Sequence, residues 1–309
     1  MVRRESLRQG FMFALMKHPS LNPIFCEGTP EMKRLIYLND GTWQTADQKH
    51  PTNIAKLAKL QVNSADQSCW YDPGVGTGWP RIAGGLFGSG LRKNILQAYE
   101  WLRKLYRPGD WIILEGFSRG AYTARELGGM LGAVGFDNPT MPVEQVWTRY
   151  RAMYRTTRPV PVQMIAVFDT VGARGVPVGN GRWALAPQFD DCNLGAHVAH
   201  GIHIVAIHER RKAFRPALWT NEAEHGGIEQ PWSPGWHSDV GGGAQNPGLS
   251  DHALNWLIPR LQSRAGVTMR DGWERSLRPD ANIPHNEPGL LTRLYGMEDR
   301  IVPPGAVRI

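Results

Sequence analysis

The run Trp111–Leu127, WIILEGFSRGAYTAREL, carries the residues best suited to chemistry. At its centre Gly116-Phe117-Ser118-Arg119-Gly120 forms a G-x-S-x-G pentapeptide between an apolar, strand-like stretch and a helix-like one. The setting gives the motif its meaning, because a sharp strand-to-helix turn forces the serine into a strained conformation and lifts its hydroxyl above the sheet. Glycines at Gly116 and Gly120 leave room for that turn. Ser118 is therefore the candidate nucleophile. The backbone N–H of Arg119 is a candidate oxyanion donor, since the unpaired donors and the positive dipole end of a helix start favour developing negative charge.

A serine hydroxyl needs a base to take its proton, and the base needs a partner to fix its tautomer. In hydrolases built on an open parallel sheet the nucleophile, acid and histidine follow in that order at strand ends. Asp169 directly follows the apolar run Ile165-Ala166-Val167-Phe168, and His237 lies in the Gly-rich loop Trp236-His237-Ser238-Asp239-Val240-Gly241-Gly242-Gly243. These two complete the candidate triad. The choice has rivals: Asp169 could instead cap the turn at Thr170-Val171-Gly172, Asp190, Asp191 and Asp239 are alternative acids, and His203, His208 and His252 are alternative histidines. A second oxyanion or substrate-binding element is expected in Asp40-Gly41-Thr42-Trp43, where Gly41 allows close backbone approach and Thr42 can orient a neighbour. Asp40 itself reads as a brace for this loop. Paired with Asp239 it would be only two isolated carboxylates, which do not define a metal site, and no cofactor is expected.

The elements that must position these residues can be read from apolar periodicity. Lys33–Leu38 is a first strand ended by Asn39-Asp40-Gly41, and Pro51-Thr52-Asn53 caps a helix with Ile54, Leu57, Leu60 and Val62 at near-helical spacing. A strand-like stretch around Tyr71 precedes turn-rich residues. The Gly-rich run 84–90 reads as a loop leading into a helix over Leu91–Leu105; with no Lys-Ser/Thr pair after it, it does not make a nucleotide cradle. The helix after Ser118 is expected to end near Leu131, before Gly132 and Gly135. Further elements are expected as a helix over Val143–Tyr154, strands over Val162–Phe168, Gly201–Ile207 and Ile228–Trp232, and a closing helix over Leu249–Leu261. Residues 172–200, rich in Gly and Pro with Trp183, Leu185 and Phe189, are a candidate lid or a plain loop. Strands alternating with helices predict an α/β fold: three α/β/α layers around a mostly parallel central sheet.

Composition bounds the rest. The 309 residues are 41% hydrophobic, enough for a sizeable core, and no apolar stretch reaches the roughly 18 residues that a membrane-spanning helix needs. Residues 1–16 combine Arg3, Arg4 and Arg8 with GFMFALM, but the apolar part is short and no A-x-A-like site follows; this reads as a cytosolic start, with an interfacial amphipathic segment as the second reading. The net charge of +7 is spread out. Its densest cluster, Glu209 to Arg215, reads as a solvated edge, and no nucleic-acid motif accompanies it, so no nucleic-acid partner is expected. Three widely spaced cysteines support neither a disulfide framework nor a zinc site.

The chain also resembles the catalytic domain of the type VI secretion phospholipase effectors of the first lipase-effector class and their uncharacterised bacterial relatives. The resemblance rests on Asp40-Gly41-Thr42-Trp43, Pro51-Thr52-Asn53, Tyr71 with Gly74-Val75-Gly76-Thr77, Gly116-Phe117-Ser118-Arg119-Gly120-Ala121, Phe168-Asp169-Thr170-Val171-Gly172, Glu209-Arg210-Arg211 and Pro234-Gly235-Trp236-His237-Ser238-Asp239-Val240-Gly241-Gly242, in order from about residue 33 to residue 261. It implies an α/β-hydrolase domain whose triad falls on Ser118, Asp169 and His237. His208 stands where such domains carry an Asp, and the characterised effectors have a large additional membrane-engaging region, so the resemblance carries hydrolase further than phospholipase. The organisation expected is an extension over 1–30, a hydrolase domain over 31–265 and a tail over 266–309 packed on or near it. The activity expected is hydrolysis of carboxylic esters, with fatty-acyl or phospholipid esters favoured. Thioester cleavage or acyl transfer by the same residues, and a non-catalytic module binding anionic membrane or nucleic acid, are the alternatives. The partners to match are a lipid or ester substrate, a membrane surface, and an immunity or secretion-system protein, with synthesis in the cytoplasm and export by a route that needs no signal peptide.

Overall fold

The computed structural model describes residues 32–41, 47–74, 86–171, 176–178, 182–184, 192–284 and 296–309, all within the compact unit Met32–Ile309. In chain order the strands and helices are β1 (Arg34–Asn39), α1 (Asn53–Leu60), β2 (Gln67–Asp72), α2 (Leu86–Leu105), β3 (Trp111–Phe117), α3 (Arg119–Val134), α4 (Val143–Arg151), β4 (Val162–Phe168), β5 (Val176–Val178), β6 (Arg182–Ala184), β7 (Val198–Ala206), α5 (Glu222–His225), β8 (Ile228–Glu229), β9 (Trp232–Ser233), α6 (His237–Gly241) and α7 (Gly248–Ala265).

The strands β2-β1-β3-β4-β7-β8 lie side by side, with β9 also on β7, and every pair in this sheet is parallel. Successive residues of a strand point to opposite faces. Leu35, Tyr37, Ile112, Leu114, Ile165 and Val167 accordingly pack against α2, α3 and α4 on one side. Ile36, Leu38, Ile113, Met164, Ala166 and Phe168 meet α1 and α7 on the other. Both faces are covered, which is why these strands read as continuous apolar runs rather than alternating ones. The expected α/β/α layering is the one observed.

The chain leaves β1 for β2 on one side and reaches β3 on the other, so the strand order reverses between β1 and β3. In open parallel sheets the crevice at such a point, at the carboxyl ends of the strands, is where ligands bind. Asp40 follows β1, Ser118 follows β3 and Asp169 follows β4, all at this edge.

Several boundaries differ from the sequence reading. The second helix begins at Leu86 rather than Leu91, so Gly88 and Gly90 lie inside it. α3 runs through Gly132 to Val134, with Gly135 as its C-cap at positive φ. At Gly132 a side chain would strike the His197 ring, 2.3 Å away, so this glycine serves close packing rather than termination. α4 ends at Arg151, β7 starts three residues early at Val198, and α7 extends over Gly248–Ala265. The last expected strand is two short ones, split at Gln230-Pro231, where proline has no N–H for the ladder. Of the candidate lid, the described residues are the antiparallel pair β5–β6, which includes Trp183, and 192–200, which run into β7; Leu185, Phe189, Asp190 and Asp191 lie outside the described residues, as do Thr42 and Trp43.

Candidate active site

Ser118 sits between β3 and α3 with φ 58° and ψ −117°, a region that L-residues avoid because the Cβ crowds the backbone. Two glycines make the turn feasible. A Cβ on Gly116 would lie 2.6 Å from the Ala121 Cα, and one on Gly120 would lie 2.0 Å from the Asn39 carbonyl oxygen. The first lets the helix fold back onto its strand, and the second lets that helix sit against the end of β1. The Ser118 N–H donates to the Phe168 carbonyl at 3.1 Å, tying the turn to β4.

The three residues singled out from their order in the chain come together here. His237 Nε2 lies 2.8 Å from Ser118 Oγ, and His237 Nδ1 lies 2.7 Å from Asp169 Oδ2. All three are buried, with Ser118 6% and His237 7% exposed and Asp169 wholly enclosed. His237 is not in an irregular loop: it opens the short helix α6, with its ring between Phe117 and Phe214 at centroid distances of 4.6 and 4.9 Å. Burial lowers its pKa below the ordinary 6.5, and the Asp169 carboxylate opposes that fall without cancelling it. Asp169 also has positive φ, 37°, and its Oδ1 accepts from the Ala206 N–H at 3.0 Å. Burial works against its charge, yet Arg300 and His237 hold its carboxyl far below the usual carboxylate range.

The rivals have other engagements. Asp239 turns back on α6 and accepts from the Trp236 N–H at 2.9 Å. His203 is wholly buried with Nε2 accepting from the Thr170 N–H at 2.9 Å, and burial together with nearby Arg125 pushes its pKa down to about 3. His208 accepts from the Gly235 N–H through Nδ1 at 2.9 Å, bracing the turn that leads into α6.

Asp40 is a buried hub. Its Oδ2 accepts from Thr52 Oγ1 at 2.6 Å and from the Tyr71 hydroxyl at 2.8 Å, while its Oδ1 accepts from the Gly41 N–H at 2.7 Å. Thr52 also caps α1, accepting from the Ala55 N–H at 3.0 Å, and Asn53 Nδ2 donates to the carbonyls of Val240 and Ser250, both at 2.9 Å. The D-G-T-W, P-T-N and H-S-D-V-G-G stretches are thus joined in one network. In this arrangement the Gly41 N–H is part of the brace, donating to Asp40 Oδ1. Among the described residues no cluster of three or more His, Cys, Asp or Glu could hold a metal ion, and no helix is long and apolar enough to cross a membrane.

Two residues escaped the sequence reading. Glu209, read as part of a solvated edge, is 1% exposed: it clamps Arg211 through both carboxylate oxygens and accepts from the His237 N–H at 3.3 Å. Its presence in an E-R-R stretch was the available signal. Arg300 pairs with Asp169 from 131 residues away, and nothing local in the sequence marks it.

A parallel sheet with a strained serine at its β1/β3 crevice defines a hydrolase-type domain. The chain belongs to the family described as T6SS, phospholipase effector Tle1-like, catalytic domain, which it matches over residues 33–159 and 151–260. The uncharacterized protein YEL023C of Saccharomyces cerevisiae is 29% identical over 230 residues, covering 61% of this chain and 33% of its own. Similar solved structures include the Tle1 effector bound to the VgrG spike of the type 6 secretion system (19% identity, TM-score 0.42, 70% of this chain and 51% of that one). They also include an uncharacterized protein from Pseudomonas aeruginosa (20%, 0.45, 79% and 47%) and Thermogutta terrifontis esterase 2 phosphorylated by paraoxon (11%, 0.43, 79% and 88%). The chain spans a third of the yeast relative's length and about half that of the first two structures.

Proposed function

We propose that this protein is a serine hydrolase that cleaves carboxylic esters, with fatty-acyl or phospholipid esters as its substrate class. The observation that carries the reading is the unbroken line from Ser118 Oγ through both nitrogens of His237 to Asp169 Oδ2, at 2.8 and 2.7 Å, with the serine in elbow geometry. Ser118 Oγ attacks the ester carbonyl as its proton passes to His237 Nε2. The tetrahedral oxyanion is held by the Arg119 N–H at the start of α3 and by a second donor from the loop after β1. As the C–O bond to the alcohol breaks, His237 returns the proton to the leaving oxygen; water, deprotonated by the same nitrogen, then releases the acid from the serine. Asp169 holds the Nδ1–H tautomer and stabilises the imidazolium.

Family membership supports a lipid ester as substrate and a secretion-system protein as carrier, with the Tle1–VgrG complex as the precedent. Residues 172–200, with Trp183 and Phe189, remain the candidate lid. Hydrolysis should be measured on p-nitrophenyl esters of increasing chain length and on phospholipid vesicles. The wild-type chain is expected to release acid from at least one series, and Ser118→Ala to lose it all; equal turnover by both proteins overturns the reading.

A further inference from the structure

The segment around residues 297–301 returns to the site and places one charged side chain against its acid. Arg300 donates from Nη1 to Asp169 Oδ1 at 2.6 Å and from Nη2 to Oδ2 at 3.1 Å, and its remaining donors reach the Ala206 and Phe214 carbonyls at 2.7 and 2.5 Å. The Arg300 side chain is only 5% exposed and the Asp169 side chain 0%. The segment is seated by further contacts: Arg210 with Asp299 at 2.6 Å, Arg215 with Glu298 at 2.6 Å, and the Glu298 N–H on the Arg210 carbonyl at 2.7 Å. Building so many directed bonds around one buried guanidinium fixes its plane, and hence the orientation of the carboxylate it grips.

The carboxylate oxygen that faces His237 is thus also held by Arg300. A guanidinium there offsets part of the negative charge that favours a protonated imidazole. Among the described residues the other titratable or charged groups around the pair are Glu209, Arg211, His203 and Arg125, and Glu209 raises the His237 pKa while Arg211 lowers it. Glu209 accepts from the His237 N–H but is itself paired with Arg211, and His203, beside Arg125, is buried behind Thr170. Phe117 and Phe214 cover the ring and bring no charge.

We propose that Arg300 is a positioning residue for the hydrolytic site: its fork fixes Asp169 against His237 and restrains the proton affinity of His237, so that the seating of residues 297–301 sets both the alignment of the base and the pH range in which it works. This rests on the serine-hydrolase reading above. The sign is definite. Removing the positive charge leaves the Asp169 carboxylate unopposed, which stabilises the imidazolium and raises the His237 pKa, while losing the fork loosens the acid and slows turnover.

The test uses the full chain with Arg300→Gln, which removes the charge, and Arg300→Lys, which keeps the charge but not the fork. Two readouts are taken: the acid limb of kcat/KM, and the His237 ring titration by NMR, assigned with His237→Gln. For Arg300→Gln both midpoints are expected to rise by about one pH unit, with kcat down about tenfold and KM little changed. Arg300→Lys is expected to keep midpoints near wild type while kcat falls. Unmoved midpoints in Arg300→Gln, or an equal rise in Arg300→Lys, overturn the proposal; if the first variant fails to fold, the second decides. Should the wild-type chain show no hydrolysis dependent on Ser118, the hydrolase reading fails, yet the NMR titration still decides whether Arg300 governs His237.

Discussion

At Ser118 the chain accepts backbone strain to present a hydroxyl, and at Asp169 it does so again, with φ of 58° and 37°. Each such conformation costs on the order of 1–3 kcal/mol and persists only when its surroundings over-determine it. Here the ladder bonds from the Ser118 N–H to Phe168 and from the Asp169 N–H to Ile204 do so. A base buried between two phenyl rings with a lowered pKa stays neutral further into the acid range than a free histidine. With His237 as the proposed base, which must be neutral to take the proton, the acid-side midpoint of kcat/KM is expected below pH 6.5, and a midpoint above 7 would contradict this electrostatic picture. That Ser118, Asp169 and His237 would come together was legible because each sits in a local pattern whose order along the chain has chemical meaning. Glu209 and Arg300 were not, since their roles arise from burial and from pairings between distant segments.

The strand-to-helix elbow is the element on which this geometry depends. Its glycines are there for space: α3 approaches β1 so closely that a methyl group on Gly120 would overlap the Asn39 carbonyl. Gly120→Ala is therefore expected to reduce unfolding stability by about 3 kcal/mol and to depress ester turnover together with it. An unchanged denaturant midpoint would show that the elbow is looser than described. The central strands could be read directly, because a doubly covered sheet leaves long apolar runs in the sequence. Helix boundaries at glycine could not. Gly88, Gly90 and Gly132 look like breakers yet lie within helices, and at Gly132 close packing on the His197 ring offsets the roughly 1 kcal/mol that a glycine costs inside a helix. Asp40 was legible as a brace but not as the hub between β1, β2 and α1, because hydrogen bonds from Thr52 and Tyr71 depend on the sheet having formed.

For the molecule as a whole, the two-sided core holds a carboxyl group on a central strand. Glu115 lies wholly buried on β3, accepts from Gln61 Nε2 at 2.6 Å, and has its pKa pushed up to about 8 by burial. Its second oxygen and the Gln61 Oε1 both lack partners, an arrangement that suits a protonated acid. The folded state then keeps a proton that the unfolded chain releases near pH 4.5, so this group costs stability progressively from pH 4.5 to about 8. Glu115→Gln is expected to be nearly neutral at pH 5 and stabilising at pH 8.5, by urea unfolding at both. A variant that destabilises more at the higher pH would reverse the assignment.

The central claim is that Ser118 is made nucleophilic by His237 and Asp169, and acylation of the serine reports on it most directly. The full chain should be treated with a fluorophosphonate probe and the modified peptide identified by mass spectrometry. The account predicts a single adduct on Ser118, absent in Ser118→Ala and formed far more slowly in His237→Ala. An adduct on another serine, or one on Ser118 formed equally fast without His237, would contradict it.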